Sequence, residues 1–148
     1  MASIWKNGAP SFAPGPAPAR ALSGHLGIEF LEAGDDYLRA RMPVDERTVQ
    51  PAGVLHGGAS VALAETVMSA AAGCCVDRDT HTVVGLEINA NHVGSVRTGF
   101  VIATARPVHI GASTHVWEAR IEEAQTGRLV CVARMTAAIL SRTPSGRT

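Results

Sequence analysis

The chain has 148 residues, of which 46% are hydrophobic, so it is long enough for one domain with a substantial core. Its 13 basic and 13 acidic side chains give a formal net charge of zero, and no basic stripe points to nucleic acid as a partner. It has neither an apolar run of about 18 residues nor a signal-peptide core, so we expect a cytoplasmic protein without a membrane partner.

The cysteines and histidines argue against disulfide and metal chemistry. The chain has three cysteines, Cys74, Cys75 and Cys131, which are too few for a disulfide framework and are expected to be buried thiols. The six histidines form no H-E-x-x-H motif, and the cysteines form no C-x-x-C motif. We therefore expect no metal site.

The N-terminal segment, residues 1–24, is predicted to be extended, because four closely spaced prolines prevent a helix over residues 1–20. At its end, residues 21–27 are predicted to form a short turn or helical piece. Trp5 in this segment is either an anchor that docks it or an ordinary exposed aromatic residue. Residues 27–33 and 37–43 are predicted to form two strands around a turn that begins at Gly34.

A long apolar helix is predicted after these strands. Residues 59–73 are small or apolar almost throughout, and a helix that is apolar on nearly all sides is normally buried. Glu65 is the single acid in this run, and Ser69 shares its face one turn later. Gly57 and Gly58 leave the start of the helix bare, so its unpaired N–H groups are open to an anion or oxyanion.

Glu65 has two interpretations: a solvated acid without a role, or a catalytic carboxylate. The hydroxyl of Ser69, the amide of Gly57 and the polar side chains of His56 and Gln50 favour the second interpretation. Together with a carboxylate, these groups are the parts that acyl transfer needs.

The spacing of these groups predicts a site that two subunits share. Gly57 and Glu65 are eight residues apart, which is about 12 Å along a helix. A reacting carbonyl must lie about 3 Å from both the attacking group and the oxyanion donor. Two antiparallel copies of the helix around a twofold axis can meet this condition, whereas one copy cannot.

The remaining chain is predicted to be mostly strand, with turn residues between four stretches. These stretches are residues 82–92, 99–108, 113–123 and 129–140. The expected class is α+β, with one long central helix wrapped by a curved antiparallel sheet of about five to six strands. The polar end, residues 143–148, is predicted to be a flexible tail.

The sequence resembles the hotdog-fold thioesterases. The motif L-H-G-G-A-S-x-x-L-A-E at residues 55–65 is similar to that of the 4-hydroxybenzoyl-CoA thioesterase, or PaaI-like, branch. Within it, the resemblance is greatest to the 1,4-dihydroxy-2-naphthoyl-CoA thioesterases and the proofreading thioesterases of enterobactin synthesis. Supporting segments lie at residues 4–6, 34–36, 42–45, 84–92 and 127–129. The resemblance implies a hotdog domain over residues 25–142, and the chain departs from it at residues 7–24.

The resemblance also implies roles for individual residues. Glu65 matches the catalytic carboxylate, as nucleophile or as base for water, and Gly57 matches the amide that polarises the thioester carbonyl. Three further catalytic positions, near the thioester and the attacking water, are His56, Gln50 and Ser69. The positions implied in binding CoA are His92, His109, Gly111, Ala112 and Ser113. Ala112 and Ser113 differ from the residues of close relatives.

The function implied is the hydrolysis of aromatic or related acyl-CoA thioesters, of the 1,4-dihydroxy-2-naphthoyl or hydroxybenzoyl type, to free acid and CoA. CoA is part of the substrate, so no separate cofactor is expected, and an acyl-carrier-protein thioester presents the same pantetheine arm. The implied assembly is a homotetramer, built as a dimer of dimers. The alternatives are a hotdog hydratase or dehydratase and a non-catalytic acyl-CoA sensor. The absence of a D-x-N-P-x-H run and of a charged regulatory segment disfavours both.

Overall fold

The apolar run forms one helix in the computed structural model, which describes residues 2–142. This helix, α2, spans Gly57–Cys74, and a short helix, α1, spans Leu22–His25. The strands are β1 (Glu29–Ala33), β2 (Leu38–Pro43), β3 (His81–His92), β4 (Phe100–Ile110), β5 (Thr114–Glu123) and β6 (Leu129–Ser141). The tail predicted at residues 143–148 lies outside the described residues, and the predicted domain boundaries stay predictions.

The six strands form one sheet in the order β1-β2-β4-β5-β6-β3, and every neighbouring pair is antiparallel. This confirms the predicted fold class, with a strand count at the upper end of the expected range. The strands after the helix do not follow chain order, because β3 pairs with β6 and forms an edge of the sheet. The opposite edge is β1.

The core lies between α2 and the face of the sheet that the alternating patterns predict. In β2, Leu38, Ala40 and Met42 are fully buried, whereas the arginines between them are partly exposed. The strand period of two places every second side chain against the helix. The largest fully buried apolar side chains from the helix and the later strands are Leu63, Val67, Met68, Val101, Trp117, Ile121 and Met135.

The N-terminal segment docks through Trp5, so the anchor interpretation is right. The Trp5 side chain is only 5% exposed, and its indole N–H donates a hydrogen bond to the carbonyl of Gly34 at 2.6 Å. The next residue, Lys6, donates its backbone N–H to the carbonyl of Cys74 at the end of α2. The segment is therefore fixed to both β1–β2 and the helix.

Candidate active site

The start of α2 leaves one amide without a partner. His56 is the residue before the helix, and its Nδ1 accepts a hydrogen bond from the N–H of Gly58 at 2.8 Å. The N–H groups of Ala59 and Ser60 both donate to the carbonyl of His56. Within residues 2–142, no acceptor is bonded to the N–H of Gly57. This donor, at the positive end of the helix dipole, is therefore free to bind a developing oxyanion.

The capping hydrogen bond also sets the tautomer of His56. Because Nδ1 accepts from Gly58, a neutral ring carries its proton on Nε2. The His56 side chain is exposed, so its Nε2–H is a second donor available to a ligand beside the Gly57 amide.

His92 lies against the same helix terminus. A Cβ atom at residue 57 would come within 2.9 Å of Nε2 of His92, so a glycine allows the imidazole to approach the helix this closely. His92 is the last residue of β3. The structure thus places this predicted CoA-binding residue beside the candidate oxyanion donor.

Gln50 belongs to the loop that leads into α2. Its Oε1 accepts a hydrogen bond from the N–H of Ala52 at 2.8 Å, and a bridge between Val49 and Leu55 closes the loop. Since the side-chain carbonyl is occupied by the turn, the amide NH₂ is the part of Gln50 that can serve a ligand.

Glu65 and Ser69 are found further along α2. A Cβ atom at Gly85 of β3 would lie 3.2 Å from Oε1 of Glu65, so the carboxylate reaches the edge strand, and it is exposed in the single chain. The hydroxyl of Ser69 donates to Sδ of Met135 at 3.5 Å. Eight residues of helix separate Glu65 from Gly57, about 12 Å, so one chain does not bring them together.

The other predicted CoA-binding residues are at the β4–β5 turn. The N–H of Gly111 donates to the carbonyl of Thr114, and the carbonyl of Ser113 accepts from Ile139. His115 of β5, just after this turn, pairs with Ala137 of β6, which in turn pairs with Gly85 of β3. His92 is seven residues beyond Gly85 on β3, a distance of about 23 Å in an extended strand. Within one chain, the turn and His92 are therefore separate.

His115, beside this turn, is a residue whose environment the sequence left open. Its side chain is 1% exposed, and its Nδ1 has no hydrogen-bond partner among the described residues. Burial, followed by the nearby His109, lowers the pKa of His115, while a hydrogen bond to the backbone of Gly111 acts in the opposite direction. His115 is two residues before the apolar Trp117 on β5 and therefore lies on the same face of the sheet, which could have predicted a buried side chain.

Two cavities adjoin the candidate catalytic residues. One of about 300 Å³ opens beside His56 and is bounded by apolar side chains of α1 and α2, including Leu22 and Ala59. The other, of about 190 Å³, lies between α2 and β3 and includes Ser69. Their shapes could not be predicted from the sequence, because each cavity depends on elements that are distant in the chain. Nowhere in residues 2–142 is there a helix long and apolar enough to span a membrane.

Known proteins match the chain over most of its length. The Thioesterase superfamily model matches residues 52–131. A 1,4-dihydroxy-2-naphthoyl-CoA hydrolase of Escherichia coli is 51% identical over 80% of this chain and 86% of its own. A proofreading thioesterase, EntH, of Cronobacter turicensis is 45% identical over 93% of this chain and 98% of its own.

Solved structures agree with the sequence matches. A mutant thioesterase from Pseudomonas aeruginosa superimposes with a TM-score of 0.84 at 41% identity, covering 95% of this chain and all of that one. A thioesterase from Haemophilus influenzae gives a TM-score of 0.78 at 47% identity, with 83% and 85% coverage. These matches confirm the predicted thioester hydrolase class and a thioester substrate. With a family model that covers more than half of its residues and relatives near 50% identity, the chain belongs to the thioesterase superfamily.

Proposed function

We propose that this protein hydrolyses aromatic or related acyl-CoA thioesters to the free acid and CoA. The observation that carries the proposal is the unpaired N–H of Gly57 at the exposed start of α2. An amide fixed in this position can stabilise the negative oxygen that forms when a thioester carbonyl is attacked. Two relatives support the substrate class, since one is named a 1,4-dihydroxy-2-naphthoyl-CoA hydrolase and the other a proofreading thioesterase.

In the proposed reaction, the thioester oxygen accepts the hydrogen bond of Gly57. Glu65 then either attacks the carbonyl carbon or removes a proton from the water that attacks it. The C–S bond breaks, and CoA leaves as the thiol with a proton that the water gives up. Where Glu65 is the nucleophile, water then hydrolyses the anhydride between Glu65 and the acyl group, which restores the carboxylate; in both routes water supplies the oxygen of the acid. His56 and Gln50 contribute donors near the thioester, and Ser69 positions the water or the carboxylate.

The proposed site takes Gly57 from one subunit and Glu65 from another. Glu65 is exposed in the single chain and reaches the edge strand β3. Two apolar side chains of that strand are also exposed, Leu86 at 64% and Val84 at 43%. An unpaired edge with exposed apolar residues suits a second copy of the chain.

The proposal further includes a dimer of dimers, a cytoplasmic location and no cofactor beyond the CoA of the substrate. In this assembly His92, which is beside Gly57, and the turn from His109 to Ser113 contact the CoA portion. The single chain keeps these two groups at different ends of β3, so different subunits would supply them.

The test is hydrolysis of a small panel of CoA thioesters, followed by release of free thiol. The panel contains benzoyl, 4-hydroxybenzoyl, hydroxynaphthoyl and medium-chain acyl groups. We expect turnover of the aromatic members and a loss of kcat of roughly 10²–10⁴-fold in Glu65→Gln. Glu118→Gln, on the outer side of β5, is the matched control and keeps full activity. No turnover of any member, or an active Glu65→Gln protein, would contradict the proposal.

A further inference from the structure

We propose that Arg78 recognises an oxygen at the far end of the acyl group, so that the preferred substrates carry a carboxylate opposite the thioester. The inference rests on the proposed function and specifies the substrate within it. It is carried by the cavity between α2 and β3, together with the way Arg78 is held beside it.

The cavity continues the line of candidate catalytic groups. Along the groove between α2 and β3, the helix residue Glu65 is beside Gly85. The next turns of the helix, at Ser69 and Gly73, bound the cavity together with Val83 of the same strand. The cavity thus starts at the helical turn that follows the carboxylate. An acyl group with its carbonyl at Glu65 can extend along this groove into the cavity.

The far wall of the cavity is built around Arg78. Its Nε donates a hydrogen bond to the carbonyl of Gly73 at 3.1 Å, which holds the guanidinium at the end of α2. A Cβ atom at residue 73 would lie only 2.9 Å from Nη2 of Arg78. Glycine is unfavourable inside a helix relative to alanine, and here its bare backbone leaves the space that the guanidinium fills.

Arg78 forms no ion pair within residues 2–142. Six other arginines have a carboxylate within 4.0 Å, whereas none of the carboxylates in residues 2–142 is that close to Arg78. The cavity is also bounded by Arg142 and His81, and no acid contributes to its wall. A guanidinium at the end of a cavity without acids favours a carboxylate or another oxygen acceptor in the ligand.

The length of the cavity fits one aromatic ring. Ser69 and Gly73 are four residues apart on α2, about 6 Å along the helix axis. The carbonyl is one turn earlier, at Glu65, and Glu65 is about 12 Å from Gly73 along the axis. Contacts of about 3 Å at each end leave about half of that distance for a ring with the carbonyl on one side and an oxygen on the other. The hydrogen bond from Arg78 to Gly73 by itself would also fit a purely structural role at the end of the helix, so the test must separate structure from recognition.

The experiment compares kcat/KM for 4-methylbenzoyl-CoA, 4-hydroxybenzoyl-CoA and 4-carboxybenzoyl-CoA, which differ only at the far end of the ring. We expect the wild type to prefer the carboxy over the methyl substrate by about 10- to 100-fold, the range of a charge-assisted hydrogen bond. In Arg78→Gln this ratio falls towards one, mainly through KM for the carboxy substrate. Arg120→Gln, on the outer side of β5, keeps the wild-type ratio.

A charge reversal provides the second variant. In Arg78→Glu, the preference should change to 4-(aminomethyl)benzoyl-CoA, an outcome that a structural role alone does not produce. Two results would overturn the inference: a wild type that hydrolyses all the substrates without preference, or an Arg78→Gln protein with an unchanged ratio of kcat/KM for the carboxy over the methyl substrate. Either result would favour the cavity beside His56 as the site of the acyl group. The thioesterase function would then stand. Failure to hydrolyse any thioester would instead overturn the proposed function, and this inference with it.

Discussion

Proline at position 57 removes the open amide and adds one further change, a Cβ contact with the ring of His92. His56, which precedes it, has φ −71° and ψ 132°, the conformation that a residue before proline adopts. Proline is also well tolerated at the first position of a helix, where its missing N–H has no helical partner. We expect Gly57→Pro to fold and to lose about 10²–10³-fold in kcat, the usual cost of one oxyanion donor.

Gly57→Ala is the control for this variant. Alanine introduces the same Cβ contact with His92 but keeps the N–H, so it should be considerably more active than Gly57→Pro. Steady-state kinetics on one aromatic acyl-CoA, with circular dichroism to verify folding, would measure both variants. Equal loss in the two would show that the contact with His92, and not the hydrogen-bond donor, decides the rate.

His56 combines two roles that substitutions can separate. Its Nδ1 caps the helix by accepting from Gly58, and its Nε2–H is directed to the ligand in the proposed site. Asparagine is a strong capping residue, so His56→Asn should keep the stability of the protein and lose activity. His56→Ala should lose activity and, in addition, about 0.5–2 kcal/mol of the free energy of unfolding. Urea unfolding beside kinetics measures the two effects, and an active His56→Asn protein would exclude the ligand role.

At the scale of the elements, local sequence predicts most of the fold. The apolar run at residues 59–73 extends by only two residues at its start and one at its end in α2. In β4, β5 and β6 buried residues alternate with more exposed ones over much of the strand, because burial on one face selects every second residue. The position of β3 at the sheet edge, next to β6, could not be predicted, since strand pairing depends on contacts that are distant in the chain.

In the candidate site, too, local sequence predicts some features, whereas others depend on contacts between distant parts of the chain. The helix positions Gly57, Glu65 and Ser69 are readable from the sequence, because the helical period fixes their spacing. The contact of His92 with Gly57 and that of Glu65 with Gly85 require the packing of β3 on α2. The cavity next to Ser69 has the same origin, so its cationic wall is visible only in the structure.

The N-terminal segment gives a prediction at this scale. Trp5→Phe keeps an aromatic ring in the buried position but removes the hydrogen bond to Gly34. We expect a loss of about 1–3 kcal/mol in the free energy of unfolding, because the carbonyl loses its partner. Tyr37→Phe removes an exposed hydrogen bond to Glu32 and is the control, with a change within about 0.5 kcal/mol. Similar stability of both variants in urea would contradict the anchoring role of Trp5.

At the scale of the whole molecule, His115 links stability to pH. Its pKa is below the ordinary value of 6.5 in the folded chain, because the ring is buried and His109 is near. Below about pH 6.5 the unfolded state therefore binds more protons than the folded state, and the free energy of unfolding falls as pH decreases towards the folded pKa. Above that pH the ring is neutral in both states and contributes no pH dependence.

The check compares urea midpoints at about pH 7.5 and about pH 5.5 for the wild type and His115→Gln. Glutamine does not titrate, so the decrease in midpoint between the two pH values should be smaller in the variant, whatever its absolute stability. An identical decrease in both proteins would mean that His115 is not part of the pH dependence.

The assembly of the site from two subunits is tested most directly by mixing two inactive variants. Glu65→Gln retains an intact Gly57, and Gly57→Pro retains an intact Glu65. If the groups that act together belong to different subunits, a mixed dimer contains one site in which both are intact. Co-refolding equal amounts should then restore about a quarter of the wild-type activity on an aromatic acyl-CoA, because half of the twofold dimers are mixed. Activity that stays at the average of the two parents would contradict a shared site.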